Sequence, residues 1–392
     1  MNRKPQIHKR AIPLCVPDHS GNEWKYLKEC LDTNWVSSAG PFVGRFESGI
    51  AGYVGASYGV ATTSGTAALH VALLIAGITV NDEVLMPTLS FIAPANAIRY
   101  CGASPVFIDV EPKYWQIDIN KIDNFLNHEC VWRKGNLYNS KTGRRIKAVL
   151  PVHILGHPVD MGPLIEIAEN FGLTVIEDAT ESLGGQYKGS NIGSLGDMGV
   201  FSFNGNKLIT TGGGGMIVTD SEEWAEKARY LTTQAKDDNI EYIHNEIGYN
   251  YRMSNLQAAL GCAQLETIED KLTAKKLIAD IYREAFNNIE GIETPSEAIW
   301  ASSAWWLYTI LINEAAFGKN SRDLLVELAG YGIQTRPLWQ PLHQSKAHLD
   351  CQSYVCDTAE DLFRNALTLP SSVGLTDNDQ QFVVDKIMKI SN

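Results

Sequence analysis

Between Gly59 and Ile176 short apolar runs alternate with helical patterns, and this alternation limits the possible fold more than any other feature of the chain. The runs are Gly59–Thr63, Glu83–Met86, Pro105–Ile108, Ala148–Val152 and Leu173–Ile176, with helical periodicity running to Ala76, to Tyr100 and through Phe171 between them. Parallel strands need helical crossovers, so the pattern predicts an α/β architecture with a mostly parallel sheet covered on both faces. Ligands of such sheets collect beyond the carboxyl ends of the strands. A chain of 392 residues, 44% hydrophobic, exceeds one ordinary domain and predicts one large and one smaller unit.

Chemistry-bearing residues follow the predicted strands. The first run breaks at Ser64-Gly65-Thr66 and a helix starts at once, which aims the backbone N–H groups of Gly65 and Thr66 at any anion there; a plain serine cap reads the same way. Phe91 follows the second run, and Glu177 and Asp178 end the last. Further on, FSFNGNKLITTGGGGMIVTD sets Lys207 between Phe201-Ser202-Phe203 and Met216-Ile217-Val218. A lysine in a glycine-flanked loop is commonly a solvated surface group. Held close to two strands it is desolvated instead, loses its proton more readily and becomes a nucleophile for an aldehyde. Pyridoxal phosphate is an aldehyde whose other needs match the chain: an acid at the ring nitrogen (Asp178), an anion cradle (Gly65, Thr66) and an apolar face (Phe91). Gly212 to Gly215 either permit close backbone approach to such a group or simply make a tight connection.

These stretches, with NWVSSAGPFVGRFE, PVFIDVEP, PVHILGHPVDM, GYNYRMSNLQAALG and TRPLWQPLH, resemble the DegT/DnrJ/EryC1/StrS aminotransferases from about Ile12 to the C-terminus. The resemblance implies an aspartate-aminotransferase-like fold of type I: a large pyridoxal-phosphate domain over 12–253, with a seven-stranded type of sheet, and a small α/β domain over 254–392. It implies a homodimer with shared active sites, in which Asn250 reaches the phosphate held by the neighbouring subunit. By the same resemblance Lys207 and Asp178 are catalytic and Ser202 and Glu181 touch the cofactor. Many relatives have Gln where this chain has Glu181. Trp35 lies in a loop near the family's active site, or is a packed loop residue; His153 contacts the sugar, or is a hydrogen-bonding core histidine. Arg252 and Arg336 suit a nucleotide diphosphate, Arg336 through bidentate recognition.

The implied reaction moves an amino group from L-glutamate to the C4 ketone of a nucleotide-linked 4-keto-6-deoxy sugar. The polar stretch 128–147, expected to form a hairpin, resembles inserts of enzymes acting on UDP-linked 2-acetamido sugars, so a UDP sugar is the first expectation and a GDP- or dTDP-linked sugar the alternative. Lys207 argues against the family's dehydratases, which carry His there. A sugar-nucleotide sensor is disfavoured because no basic DNA-reading helix is apparent. A formal charge of -12 argues against nucleic-acid or anionic-membrane surfaces. Seven scattered cysteines without a CxxC pair argue against a disulfide framework or a metal site. His153 and His157 are four apart, but Gly156 and Pro158 break the helix a metal pair would need. No G-x-G-x-x-G or P-loop occurs. No stretch spans a bilayer and no secretory signal is apparent, so the cytoplasm is the expected location.

Overall fold

The computed structural model describes residues 11–238 and 240–391. Helices α1 (Glu23–Asp32) and α2 (Pro41–Val54) lead into β1 (Tyr58–Thr62), after which come α3 (Gly65–Ile75), β2 (Asp82–Pro87), α4 (Ala93–Tyr100), β3 (Ser104–Ile108) and α5 (Ile119–His128). A hairpin of β4 (Cys130–Arg133) and β5 (Asn136–Asn139) precedes β6 (Arg145–Val149), α6 (Met161–Phe171) and β7 (Thr174–Asp178). A small ribbon, β8 (Gln186–Tyr187) with β9 (Ser190–Asn191), is followed by β10 (Met198–Ser202), β11 (Gly215–Thr219) and α7 (Glu222–Thr232). The remainder holds α8 (Asn255–Leu265), α9 (Ile268–Phe286), β12 (Ile292–Glu293), β13 (Ala301–Ser302), β14 (Tyr308–Ile312), α10 (Glu314–Phe317), α11 (Ser321–Gly330), β15 (Gln352–Tyr354), α12 (Asp357–Asn365), β16 (Ala366–Leu369) and α13 (Asp377–Ser391).

The main sheet has ten strands, ordered β1-β11-β10-β7-β6-β2-β3-β15, with the β4–β5 hairpin joined to β6. Along this order pairing is parallel from β10 to β15, β11 runs against its two neighbours, and off it β5 runs against β4 and β6. Every residue of β2 and β3 is buried, as expected of central strands covered on both sides. Alternation divides their side chains between two cores: Leu85 and Phe201 pack with Phe46 on one face, Val84, Met86 and Val200 with Leu69 on the other. Because β1, β2, β6, β7 and β10 share one direction, their carboxyl ends open on the same edge of the sheet. A third core unites Tyr282 and Phe286 of α9 with Tyr308, Leu324, Val384 and the distant Ile12, around a separate sheet ordered β12-β14-β16.

The chain does not part cleanly at 253. Ala258, Ala259 and Cys262 of α8 pack in the large core, because the apolar face of that helix lies against α1 and α2. β15 extends the main sheet, and Ala359 and Leu362 of α12 also join a large-domain core. Two helices follow Ser254: it caps α8 in a capping box with Gln257, and the chain breaks at Glu266, whose carboxylate accepts from Tyr26 and Asn22 and pairs with Arg45. The stretch 128–147 does form a hairpin, turning at Lys134 and Gly135, both at positive φ. Among the described residues no helix is long and apolar enough to cross a membrane.

Close backbone approach makes Gly199 irreplaceable in β10: a Cβ there would lie 1.9 Å from the carbonyl oxygen of Gly193. Gly199→Ala should therefore cost about 1–3 kcal/mol, because backbone rather than a flexible side chain has to move. Urea unfolding should show a lower midpoint with an unchanged slope.

Candidate active site

Five strand ends build one cavity of about 350 Å³. Beyond β1, Ser64 caps α3 by accepting from the N–H of Ala67 at 3.1 Å. The N–H groups of Gly65 and Thr66, first in the helix, have no protein acceptor among the described residues and border the cavity. β11 passes directly beneath: a Cβ on Gly215 would lie 2.5 Å from the carbonyl of Ser64, so only glycine lets strand and helix start meet.

Lys207 is delivered by the connection from β10 to β11. Phe203 and Gly214 close that connection by a 2.9 Å backbone bond, as do Thr211 and Phe203, and the N–H of Lys207 bonds the carbonyl of Asn204 at 3.0 Å. The side chain is thereby folded over the cavity and is only 13% exposed. Its Nζ lies 3.5 Å from Glu181 Oε1 and 3.7 Å from the centre of the Trp306 ring. Asp178 ends β7 on the cavity side, where Oδ1 accepts from the N–H of Thr180 at 3.1 Å. Burial pushes the carboxyls of both Asp178 and Glu181 above the usual range, with Lys207 only partly offsetting it. The second oxygen of Glu181 accepts from the N–H of Leu155 at 2.8 Å and so holds that residue at φ 60.

Ser202 and Phe91 also border the cavity, Phe91 at the rim with 55% of its surface exposed. Sequence reasoning missed Asn204 and Asn206, which share a segment with Lys207, and Trp306 and Trp339, which arrive from the smaller unit and carry no local signal. The fit to pyridoxal phosphate rests on four observed features: two free N–H groups at a helix start, a nearly buried amine, a buried carboxyl and an aromatic rim.

Five of the anticipated residues do not border this cavity. His153, anticipated against the sugar, is a fully buried core residue: Nδ1 accepts from the N–H of Val159 at 2.9 Å, and Nε2 lies 3.1 Å from Glu177 Oε2. Both ring nitrogens are thus engaged inside the protein. Arg252 reaches behind β1 to Glu47, 3.5 Å away. Arg336 is exposed and bonds the carbonyl of Thr335. Trp35 is half exposed, with its carbonyl taken by Asn255. Asn250 is exposed between Tyr249 and Tyr251, whose rings stack 5.0 Å apart and pack against His70.

Glu177 is the anchor behind the site, fully buried, with its carboxylate accepting from the N–H groups of Gly193, Leu195 and Gly196. Burial pushes its pKa up, but His153 and the backbone N–H groups outweigh burial and leave it below the usual range. A depressed native pKa adds stability above the unfolded value, and that stability is lost as pH falls through the native one. Glu177→Gln should cost about 1–3 kcal/mol at neutral pH, since an amide turns a donor toward backbone donors. The deficit relative to wild type should shrink on acidification, as read from urea midpoints across that range.

The comparisons with known proteins agree with this geometry. The model of the DegT/DnrJ/EryC1/StrS aminotransferase family matches residues 17–388. A GDP-perosamine synthase of Caulobacter vibrioides is 38% identical over 375 residues, covering 95% of this chain and 96% of its own. A putative pyridoxal phosphate-dependent aminotransferase of Bacillus subtilis, EpsN, is 38% identical over 392 residues, covering 98% and 96%. A DegT DnrJ EryC1 StrS aminotransferase from Brucella abortus superposes with a TM-score of 0.86 at 27% identity, covering 95% of each chain. The chain therefore belongs to the DegT/DnrJ/EryC1/StrS aminotransferase family and is a pyridoxal-phosphate-dependent sugar aminotransferase.

Proposed function

We propose that the chain transfers the amino group of L-glutamate to the C4 ketone of a GDP-linked 4-keto-6-deoxy hexose. The observation that carries the nucleotide is the near full-length similarity to a GDP-perosamine synthase. This replaces the UDP sugar expected from the stretch 128–147. That hairpin meets the sheet where Tyr138 pairs with Arg145, the first residue of β6, and so sits at the amino ends of the parallel strands. None of its residues borders the cavity.

Pyridoxal phosphate, when bound, supplies an aldehyde and an electron sink. The N–H groups of Gly65 and Thr66, at the positive end of α3, would hold its phosphate. Asp178 would stabilise a protonated ring nitrogen, a role open to a carboxylate beside a cation even in a buried setting. Phe91 and Ser202, which border the same cavity, would contact it. Lys207 Nζ would hold its aldehyde carbon, and as a free amine the same group would move a proton to and from the donor's α-carbon. Trp306 and Trp339 narrow the cavity and exclude water, which strengthens every charge interaction inside it.

Borohydride added to the protein with pyridoxal phosphate should fix the cofactor on Lys207, as peptide mapping will read; attachment to Lys188 or Lys236 would overturn the assignment. With glutamate as donor, 2-oxoglutarate release should be supported by the GDP-linked keto sugar. Turnover confined to UDP or dTDP sugars would sink the nucleotide while leaving the amino transfer intact.

The exposed Asn250 serves a second copy of the chain, supplying its side chain to the phosphate held there. Inactive Lys207→Ala and Asn250→Ala proteins should regain activity when their subunits exchange, because one hybrid site then has both groups. Exchange verified by mass without recovery would rule out a shared site.

A further inference from the structure

We propose that Glu181 is the proton acceptor for Lys207: the pair shares one proton, and moving it from Nζ to Oε1 gives the neutral amine that reacts with a carbonyl. This deepens the proposed function and rests on Lys207 as the nucleophile, but on nothing about the sugar or its nucleotide.

The geometry isolates the pair. Glu181 Oε1 lies 3.5 Å from Nζ and is the only acceptor bonded to it among the described residues. The Glu181 side chain is 4% exposed and that of Lys207 13%. Oε2 is tied to the N–H of Leu155 at 2.8 Å, so the carboxylate cannot swing away from the amine. The Trp306 ring covers the ammonium from another side at 3.7 Å.

The charged groups facing Glu181 are Lys207, from the β10–β11 connection, and Asp178, at the end of β7. One amine thus meets two carboxyls, and it can neutralise only one of them. In water a lysine amine and a glutamate carboxyl differ by roughly six pKa units. Removal from water disfavours the carboxylate and narrows that gap from its side. Burial does push the Glu181 carboxyl up, and Lys207 with the Leu155 N–H only partly reverses this. In the transfer an N–H bond breaks and an O–H bond forms, nitrogen keeps the electron pair, and an ion pair becomes two neutral groups with no proton drawn from solvent. A glutamine at 181 would fill the same space and accept from Leu155, but it could not take the proton.

Two measurements on the cofactor-free protein test this, so failure of the pair is distinguishable from failure of the substrate reading. Acetic anhydride labelling of Lys207 against pH, read by peptide mapping, follows the neutral amine. Transfer within the pair leaves a fraction of neutral amine that does not depend on pH, so wild-type labelling should level off below its midpoint, whereas in Glu181→Gln, with no acceptor, it should keep falling about tenfold per pH unit. A wild-type profile that falls as steeply as that of a Glu181→Gln variant with wild-type melting would overturn the proposal. Should that variant not fold, Lys207→Met decides. Without its cation the buried Glu181 should hold a proton to higher pH than a free carboxyl, giving an infrared carboxylic-acid band that is stronger than in wild type and absent from the Lys207→Met/Glu181→Gln double variant. No such band in Lys207→Met would equally overturn it.

Discussion

At the end of β7 the buried Glu177 carboxylate gathers the N–H groups of Gly193, Leu195 and Gly196 together with the imidazole of His153. Because His153 Nδ1 accepts from Val159, the neutral ring must carry its proton on Nε2 and donate it to Glu177. A carboxylate this deep is tolerable only when its lone pairs are filled. Filled in this way, it binds the loop before β10 to the end of β7 and to the segment after β6. Successive residues of a strand face opposite ways, so the same fixture that buries Glu177 on one face aims Asp178 at the cavity on the other. The carboxyl in the cavity owes its position to a neighbour that does not border it.

The cavity concentrates groups that are costly to bury and offsets the cost with backbone. The amine of Lys207 and the carboxyls of Asp178 and Glu181 stand within one enclosure, where Asp178 accepts from the N–H of Thr180 and Glu181 from that of Leu155. Leu155 sits in the left-handed region, a conformation costing roughly 1–2 kcal/mol for a residue with a Cβ. The Glu181 bond helps to maintain it. Strain next to the reacting groups is thus tied to the same carboxylate that faces Lys207, which couples the shape of this wall to its charge.

Strand–helix alternation in the sequence was enough to read the parallel sheet and the end of it that holds the chemistry, because period and polarity are local signals. Lys207, Asp178, Gly65, Thr66 and Phe91 were legible for the same reason: each lies at a strand end, and strand ends of one direction converge. Trp306 and Trp339 were not, since their place depends on how the smaller core docks. For His153 the sequence left a sugar contact and a hydrogen-bonding core residue open, and the ring, turned inward to Glu177, matches the second. The domain boundary was blurred by α8 and β15, whose apolar faces are claimed by the larger unit although they follow it in sequence. The hairpin at 130–139 was foreseen as structure but misread as a clue to substrate; its place at the amino ends of the strands removes it from the chemistry.

Trp306 on the cavity wall comes from the smaller unit, and Lys275 fixes its backbone there. This amine is buried in α9 and donates to the carbonyls of Trp306, at 2.7 Å, and Ser371. Burial lowers its pKa, since two carbonyls solvate an ammonium less well than water. The arrangement fixes the segment before β14 to the segment after β16. The Trp306 indole N–H then reaches the carbonyl of Asn206 at 2.7 Å, one residue before Lys207. Two contacts, Lys275 with the Trp306 carbonyl and the Trp306 ring with Nζ, therefore link the α9 helix of the small core to the Lys207 amine. Displacement of that segment would disturb the ring that covers Nζ, which ties the exposure of Lys207 to the docking of the small core.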